Sequence, residues 1–241
     1  MIYNANLGHL LVIDIETIPQ YADYNHLSDH YRQLWEHKMS KIMPENFSVS
    51  DWYSQRAGIQ SEFGKIICIS TGLFYYETDG KLVFKLKSFY EKDEASLLKS
   101  FNSMLDAFKE KRQVLLIAGH NVKEFDIPFI CRRMMINQIA LPEYLQLSSK
   151  KPWETNLVDT MELWKFGDYK NYTSLNLLAT VLGIDTPKDD IDGSMVRDVY
   201  YIENDLPRIV TYCQKDVVTV ANVIMRFKNL PLLEKEQIIV V

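Results

Sequence analysis

Residues 10–16 read Leu10-Leu11-Val12-Ile13-Asp14-Ile15-Glu16. Apolar residues fill both faces of this run except at the two acids, the pattern of a strand buried inside a layered fold. Pro19 marks its end. Asp14 and Glu16 are two apart, so in a strand they share a face, while Ile13 and Ile15 point the other way. Two carboxylates side by side against an apolar sheet repel and lose hydration. A bound cation resolves both problems; a strand end with both acids in water avoids them, and D-x-E pairs are common.

Working outward, a helix is expected over 27–42, carrying Tyr31, Leu34 and Trp35 and broken by Pro44. A second helix starts at Ser50-Asp51-Trp52. Residues 65–70 and 81–86 read as strands, and Thr78-Asp79-Gly80 predicts that they pair as a hairpin. Apolar spacing at Leu97, Leu98, Phe101, Leu105 and Phe108 predicts a helix over 94–109. A strand over 114–118 turns out through Gly119-His120-Asn121, and a helix begins near Asp126 with Pro128 in its first turn. A short strand at 157–159 precedes a helix over 174–182, stopped by Gly183. The last helix covers 206–227, capped by Asn204 or Asp205 with Pro207 in its first turn. Antiparallel strands, then strand–helix alternation, then helices argue for an α/β layered fold with a mixed sheet.

The chain has 241 residues, 47% hydrophobic and 24% charged, with net charge −5. That balance excludes disorder, collagen and coiled coil as overall descriptions. It argues against gripping nucleic acid mainly through a basic surface, but not against a nucleic-acid enzyme whose metal ions offset phosphate charge. Cys68, Cys131 and Cys213 stand far apart with no CxxC, so neither a disulfide framework nor a cysteine-rich zinc site is expected. No apolar run approaches the roughly 20 residues of a membrane span, and the start lacks a signal-peptide pattern. A single cytoplasmic domain without membrane association is expected, its segment 19–63 forming a mainly helical insertion.

Two further acids stand out. Asp216 falls within the stripe formed by Ile209, Cys213, Val220, Val223 and Phe227 of the last helix. A carboxylate there needs a cationic partner, a proton or a metal. Tyr212 lies one turn earlier, so a buried Tyr–Asp hydrogen bond is an equally physical answer. Asp126, two residues before Pro128, reads first as a helix cap, and Asn121 as a turn residue. His120 is assigned no role.

Taken in order, Asp14-Ile15-Glu16, the run Asn121-Val122-Lys123-Glu124-Phe125-Asp126, and Tyr212-Cys213-Gln214-Lys215-Asp216 resemble the DxE, NxxxFD and YxxxD motifs of the DEDD exonuclease superfamily in its tyrosine variant. The proofreading domains of family B DNA polymerases carry this set. The histidine variant would place His five residues before the last acid, where Thr211 stands. Thr17 after the first motif, residues 174–183 and residues 188–194 extend the likeness toward predicted stand-alone 3′-5′ exonucleases related to the polymerase B exonuclease domain. No polymerase domain is expected within these residues.

The resemblance implies a ribonuclease H-like fold, with a mixed five-stranded sheet flanked by helices, and two divalent ions, Mg²⁺ or Mn²⁺. Asp14, Glu16 and Asp216 would hold one ion, Asp14 would reach the second, and Asp126 would act largely through water. Oxygen ligands without a Cys or His cluster suit these ions better than zinc. Tyr212 would orient, or help deprotonate, the attacking water. Thr17, Asn121 and Phe125 would contact the terminal nucleotide, Phe125 either stacking on a base or belonging to the core. Lys123, Arg132 and Arg133 either meet phosphates or form a solvated helix face. The insertion either covers the 3′ end or is structural. The implied activity is removal of nucleoside 5′-monophosphates from the 3′ end of single-stranded DNA. Alternatives are an exoribonuclease, a catalytically silent nucleic-acid-binding module of the same fold, and a metal-dependent phosphatase.

Overall fold

The computed structural model describes residues 2–111, 114–148, 150–168, 170, 172–185 and 191–241. Its strands are β1 (Leu10–Pro19), β2 (Gly64–Tyr76), β3 (Leu82–Phe89), β4 (Leu116–Gly119), β5 (Leu157–Asp159) and β6 (Ile238–Val240). They form one six-stranded sheet in the order β5-β4-β1-β2-β3-β6. β1–β2 and β2–β3 pair antiparallel; β1–β4, β4–β5 and β3–β6 pair parallel. The fold is thus α/β with a mixed sheet, as expected, but with six strands and not five. The extra strand is three residues long and lies parallel to β3 at the edge, with Phe84 opposite Ile238. So short a run carries no alternation from which a strand could be read.

The helices are α1 (Asp29–Met39), α2 (Val49–Arg56), α3 (Glu94–Lys111), α4 (Asp126–Ile136), α5 (Thr160–Lys165), α6 (Leu175–Val181), α7 (Val196–Asp198) and α8 (Leu206–Phe227), with a π-turn at Val199–Glu203. Serine side chains cap α1, α2 and α6 (Ser28, Ser48, Ser174), and Asp205 caps α8 by accepting from Arg208 N–H. The residues of β1 alternate between two cores. Leu11, Ile13 and Ile15 pack with Leu97, Leu98, Phe101, Ile127 and Ile130 of α3 and α4. Leu10 and Val12 pack with Val217, Val220, Ala221 and Ile224 of α8. By the same period of two, Asp14 and Glu16 continue the α8 side. The sheet is therefore covered by helices on both faces, and α8 packs on the face of β1 where the acids stand.

Residues 20–63 carry α1 and α2 and have a core of their own. Trp35 stacks edge-on against Tyr53 (5.3 Å) and Phe63 (5.1 Å), and Trp35 and Tyr53 are fully buried. Trp35, Tyr53, Phe63 and Tyr24 of this segment are thus spent holding it together. Two ties anchor it. Tyr201 of the π-turn donates to Pro19 O at 2.8 Å and to Gln20 O at 3.1 Å, where the segment leaves β1. Arg133 of α4, 4% exposed, donates to Ser61 O at 2.9 Å and forms a two-pronged ion pair with Glu94 at 2.9 and 2.6 Å. Arg133 is therefore a structural cation. Its neighbour Arg132 is exposed. Of the stretch 188–194, residues 188–190 lie outside the described residues. Among the described residues no helix is long and apolar enough to cross a membrane.

Candidate active site

Three segments converge at the middle of β1, just past the point where β4 stops pairing with it. Asp14 and Glu16 come from the strand, Asp126 from the first turn of α4, and Tyr212 and Asp216 from consecutive turns of α8. Glu16 is 7% and Asp126 4% exposed; Asp14 and Asp216 are half-buried. β4 pairs with β1 only through Leu10, Leu11 and Val12. Beyond it, Ile15 N–H donates to Asp126 Oδ1 at 3.2 Å, which draws the second-motif carboxylate to the strand edge. A bulge at Glu16/Thr17, where Ile67 is the extra residue of β2, separates the two acids from the rest of the strand.

The electrostatics follow from this crowding. Burial first, then Asp216, Asp126 and Glu16, hold the Asp14 carboxyl well above the usual carboxylate range. Burial, then Asp216, Cys68 and Asp126, do the same to Glu16. Burial pushes Asp126 up to about 7, with Asp159 and Asp216 adding to it. No positive charge stands among these influences. The strand-end alternative, with both acids in water, does not describe Asp14 and Glu16 here. Ligand atoms of Asp14, Glu16 and Cys213 lie within 4.8 Å of one another, a possible acidic metal site. The Tyr212 hydroxyl is hydrogen-bonded to Asp216, and burial, then Asp216, Glu16 and Asp14, push the phenol far up, so it keeps its proton.

The loop between β4 and α4 is held by close approach. A Cβ on Gly119 would sit 2.7 Å from Val122 Cβ and 3.0 Å from Ile13 O, so the chain turns back over β1 only with glycine there. Asn121 adopts φ +62°, a left-handed conformation that Asn tolerates better than most residues. Its side-chain Oδ1 is buried without a hydrogen-bond partner. The Phe125 ring lies 5.6 Å from Phe129 and packs on the α3/α4 core. Lys123 pairs with Glu162. Thr17 is half-buried next to the bulge.

The family model described as "Predicted 3'-5' exonuclease related to the exonuclease domain of PolB" matches residues 58–235. The chain belongs to this exonuclease family. The matched residues include Asn121, Phe125, Asp126, Tyr212 and Asp216; Asp14, Glu16 and Thr17 precede them. Among solved structures, the family B DNA polymerase from the hyperthermophilic archaeon Pyrobaculum calidifontis superposes with a TM-score of 0.51 at 15% identity. The alignment covers 88% of this chain and 23% of the polymerase, so the exonuclease-family chain spans less than a quarter of that protein's length. The likeness is one of fold. Comparison with curated proteins gives no match.

Two contributors to this exonuclease-like site escaped the sequence reading. Asp159, 3% exposed at the end of β5, accepts from the N–H groups of Asn121, Lys123, Met161 and Glu162 at 3.0–3.3 Å. It fixes the second-motif loop and caps α5 together. The Asp159-x-x-Glu162 spacing is a capping-box pattern that could have flagged the cap, though not the loop. Cys213 is buried beside Asp14, and Cys68 lies in hydrogen-bond contact with it. All three cysteines are free. His120 bonds Thr160 Oγ1 (3.0 Å) and Thr173 O (2.8 Å), and burial lowers its pKa; its role is structural.

The raised carboxyls set a pH signature for the protein without added metal. Groups that hold protons more tightly when folded give stability that is fully present below their unfolded pKa and is lost as pH rises through the folded value. For Asp126 that window runs from about 3.8 to about 7. In EDTA the protein is expected to melt several degrees lower at pH 8 than at pH 5.5. Added Mn²⁺ should recover the loss at pH 8 and do little at pH 5.5. Equal melting temperatures in EDTA would show that the acids are neutralised by neighbours.

Proposed function

We propose that this chain is a metal-dependent 3′-5′ exonuclease that hydrolyses single-stranded DNA from its 3′ end and releases nucleoside 5′-monophosphates. The observation carrying this is the convergence of Asp14, Glu16, Asp126 and Asp216 from three separate segments, each of the first three raised by burial and then by acidic neighbours that in every case include Asp216. Such an arrangement opposes folding unless cations enter it. Oxygen donors of this kind fit Mg²⁺ or Mn²⁺. Asp14, Glu16 and Asp216 would hold one ion, and Asp14, central to the cluster, would share the second. When bound, the ions supply Lewis acidity at the scissile phosphate and offset charge on the attacking and leaving oxygens.

The chain's own groups do the rest. Asp126, pinned by Ile15 N–H, orients water at the edge of the site. Tyr212, hydrogen-bonded to Asp216, would orient, or help deprotonate, the attacking water. Asn121 offers an unspent acceptor, and Thr17 and Phe125 flank the acids where a terminal nucleotide would lie. Residues 1–241 are read as one exonuclease domain, with the helical segment 20–63 as a structural insertion.

The test uses matched 3′-labelled and 5′-labelled DNA and RNA oligomers, with Mn²⁺ and with EDTA. Early release of labelled mononucleotide from 3′-labelled DNA, abolished by EDTA, is the expected result. Release from the 5′ end, or undiminished cleavage in EDTA, removes the proposal. Faster release from RNA would replace DNA as the substrate.

A further inference from the structure

We infer that Cys213 supplies a sulfur ligand to the Asp14–Glu16 site, so that this site also takes a thiophilic divalent cation such as Zn²⁺, in competition with Mg²⁺ or Mn²⁺. The inference rests on the proposed role of Asp14 and Glu16 as cation ligands and adds to it a residue at an unspecified position of the third motif.

The geometry is specific. Cys213 Sγ lies 3.4 Å from Asp14 Oδ2 and 3.5 Å from Asp14 O. In a tetrahedral zinc site, a Zn–S bond of about 2.3 Å and a Zn–O bond of about 2.0 Å put sulfur and oxygen about 3.5 Å apart. The observed separation is already that edge. Glu16 completes the triangle within 4.8 Å. Its side chain is 7% exposed and has no hydrogen-bond partner among the described residues, so its oxygens are aimed into the cluster and unspent. Two oxygens and one sulfur leave a fourth position open.

Hard cations avoid thiols, so with Mg²⁺ the buried Cys213 S–H remains a neutral neighbour that can donate to Asp14. A thiophilic cation changes the bonding: the S–H bond breaks, an S–metal bond forms, and the proton leaves to solvent. Cys68 stands behind this sulfur, opposite Glu16 on β2 and in contact with Ser70 Oγ at 3.6 Å. It orients the ligand and is not one itself.

Co²⁺ reports the difference without any activity measurement. Titrating the full chain with Co²⁺ should produce the near-ultraviolet thiolate-to-cobalt charge-transfer band, which one equivalent of Zn²⁺ abolishes. Cys213→Ser should lose the band, and Cys68→Ser should keep it. Mn²⁺ binding, followed by its paramagnetic resonance signal, should survive in Cys213→Ser, which also shows that the variant is folded. A band that persists in Cys213→Ser, or no band in a wild-type protein that binds Mn²⁺, overturns the inference and leaves the exonuclease reading standing. Failure of wild type to bind either cation overturns both.

Discussion

Asp14→Ala is expected to leave near-background cleavage of a short oligomer, while Tyr212→Phe loses only part of the rate. Asp14 is the acid with influences from all three other carboxylates, so removing it takes away ligands for both proposed ions and with them most of the charge stabilisation of the transition state. Tyr212→Phe keeps the ring, which packs among Ile18, Ile67 and Ile209, and deletes one hydroxyl. The expected loss is on the order of 10²–10⁴-fold, typical of a positioned proton-handling group. Strand affinity measured in Ca²⁺ should hardly change, because the hydroxyl acts on water. Single-turnover cleavage separates the two variants. A Tyr212→Phe rate equal to wild type would make Tyr212 a packing residue. Asp14→Asn, which relieves repulsion, should melt no lower than wild type in EDTA and should gain less from Mn²⁺.

Arg133→Met should destabilise the fold by about 3–5 kcal/mol, the usual cost of leaving one member of a buried ion pair behind. Glu94 would then be left with only Asn137 Nδ2 and the Ile66 N–H as donors, and Ser61 O would lose its partner. Chemical denaturation measures the effect. Activity per folded molecule and strand affinity should stay near wild type, since the guanidinium faces the insertion and α3. A weaker affinity without a stability loss would return Arg133 to the phosphate-contact role.

The adjacent residues Arg132 and Arg133 show where sequence reading stops. Both sit on one predicted helix with nothing local to tell them apart, and only the packing of α3 and residues 20–63 against α4 buries the second. The same holds for Cys213 and Asp159, whose decisive partners lie at Asp14 and at Asn121 and Lys123, far along the chain. By contrast α8 was readable at both ends, because Asp205 and Pro207 mark its start and a continuous stripe runs to Phe227. The D-I-E strand was readable because an apolar run fills both of its faces up to the two acids. β2 runs on to Tyr76, six residues past the apolar run that predicted it. Its extension is stabilised by β3 across the Glu77–Lys81 turn, where Gly80 takes φ +85°.

The four amides gathered on Asp159 bear on how the second motif breathes. Loop amides ordinarily trade their hydrogens for solvent deuterium through small local openings. Those of Asn121 and Lys123 are instead bonded to a carboxylate fixed at the end of a strand, so they can exchange only when β5 and the first turn of α5 come away together. The loop that presents Asp126 therefore belongs to the same cooperative unit as the β4–β5 edge of the sheet, and its deuterium uptake should follow that edge and not the faster uptake of surface turns.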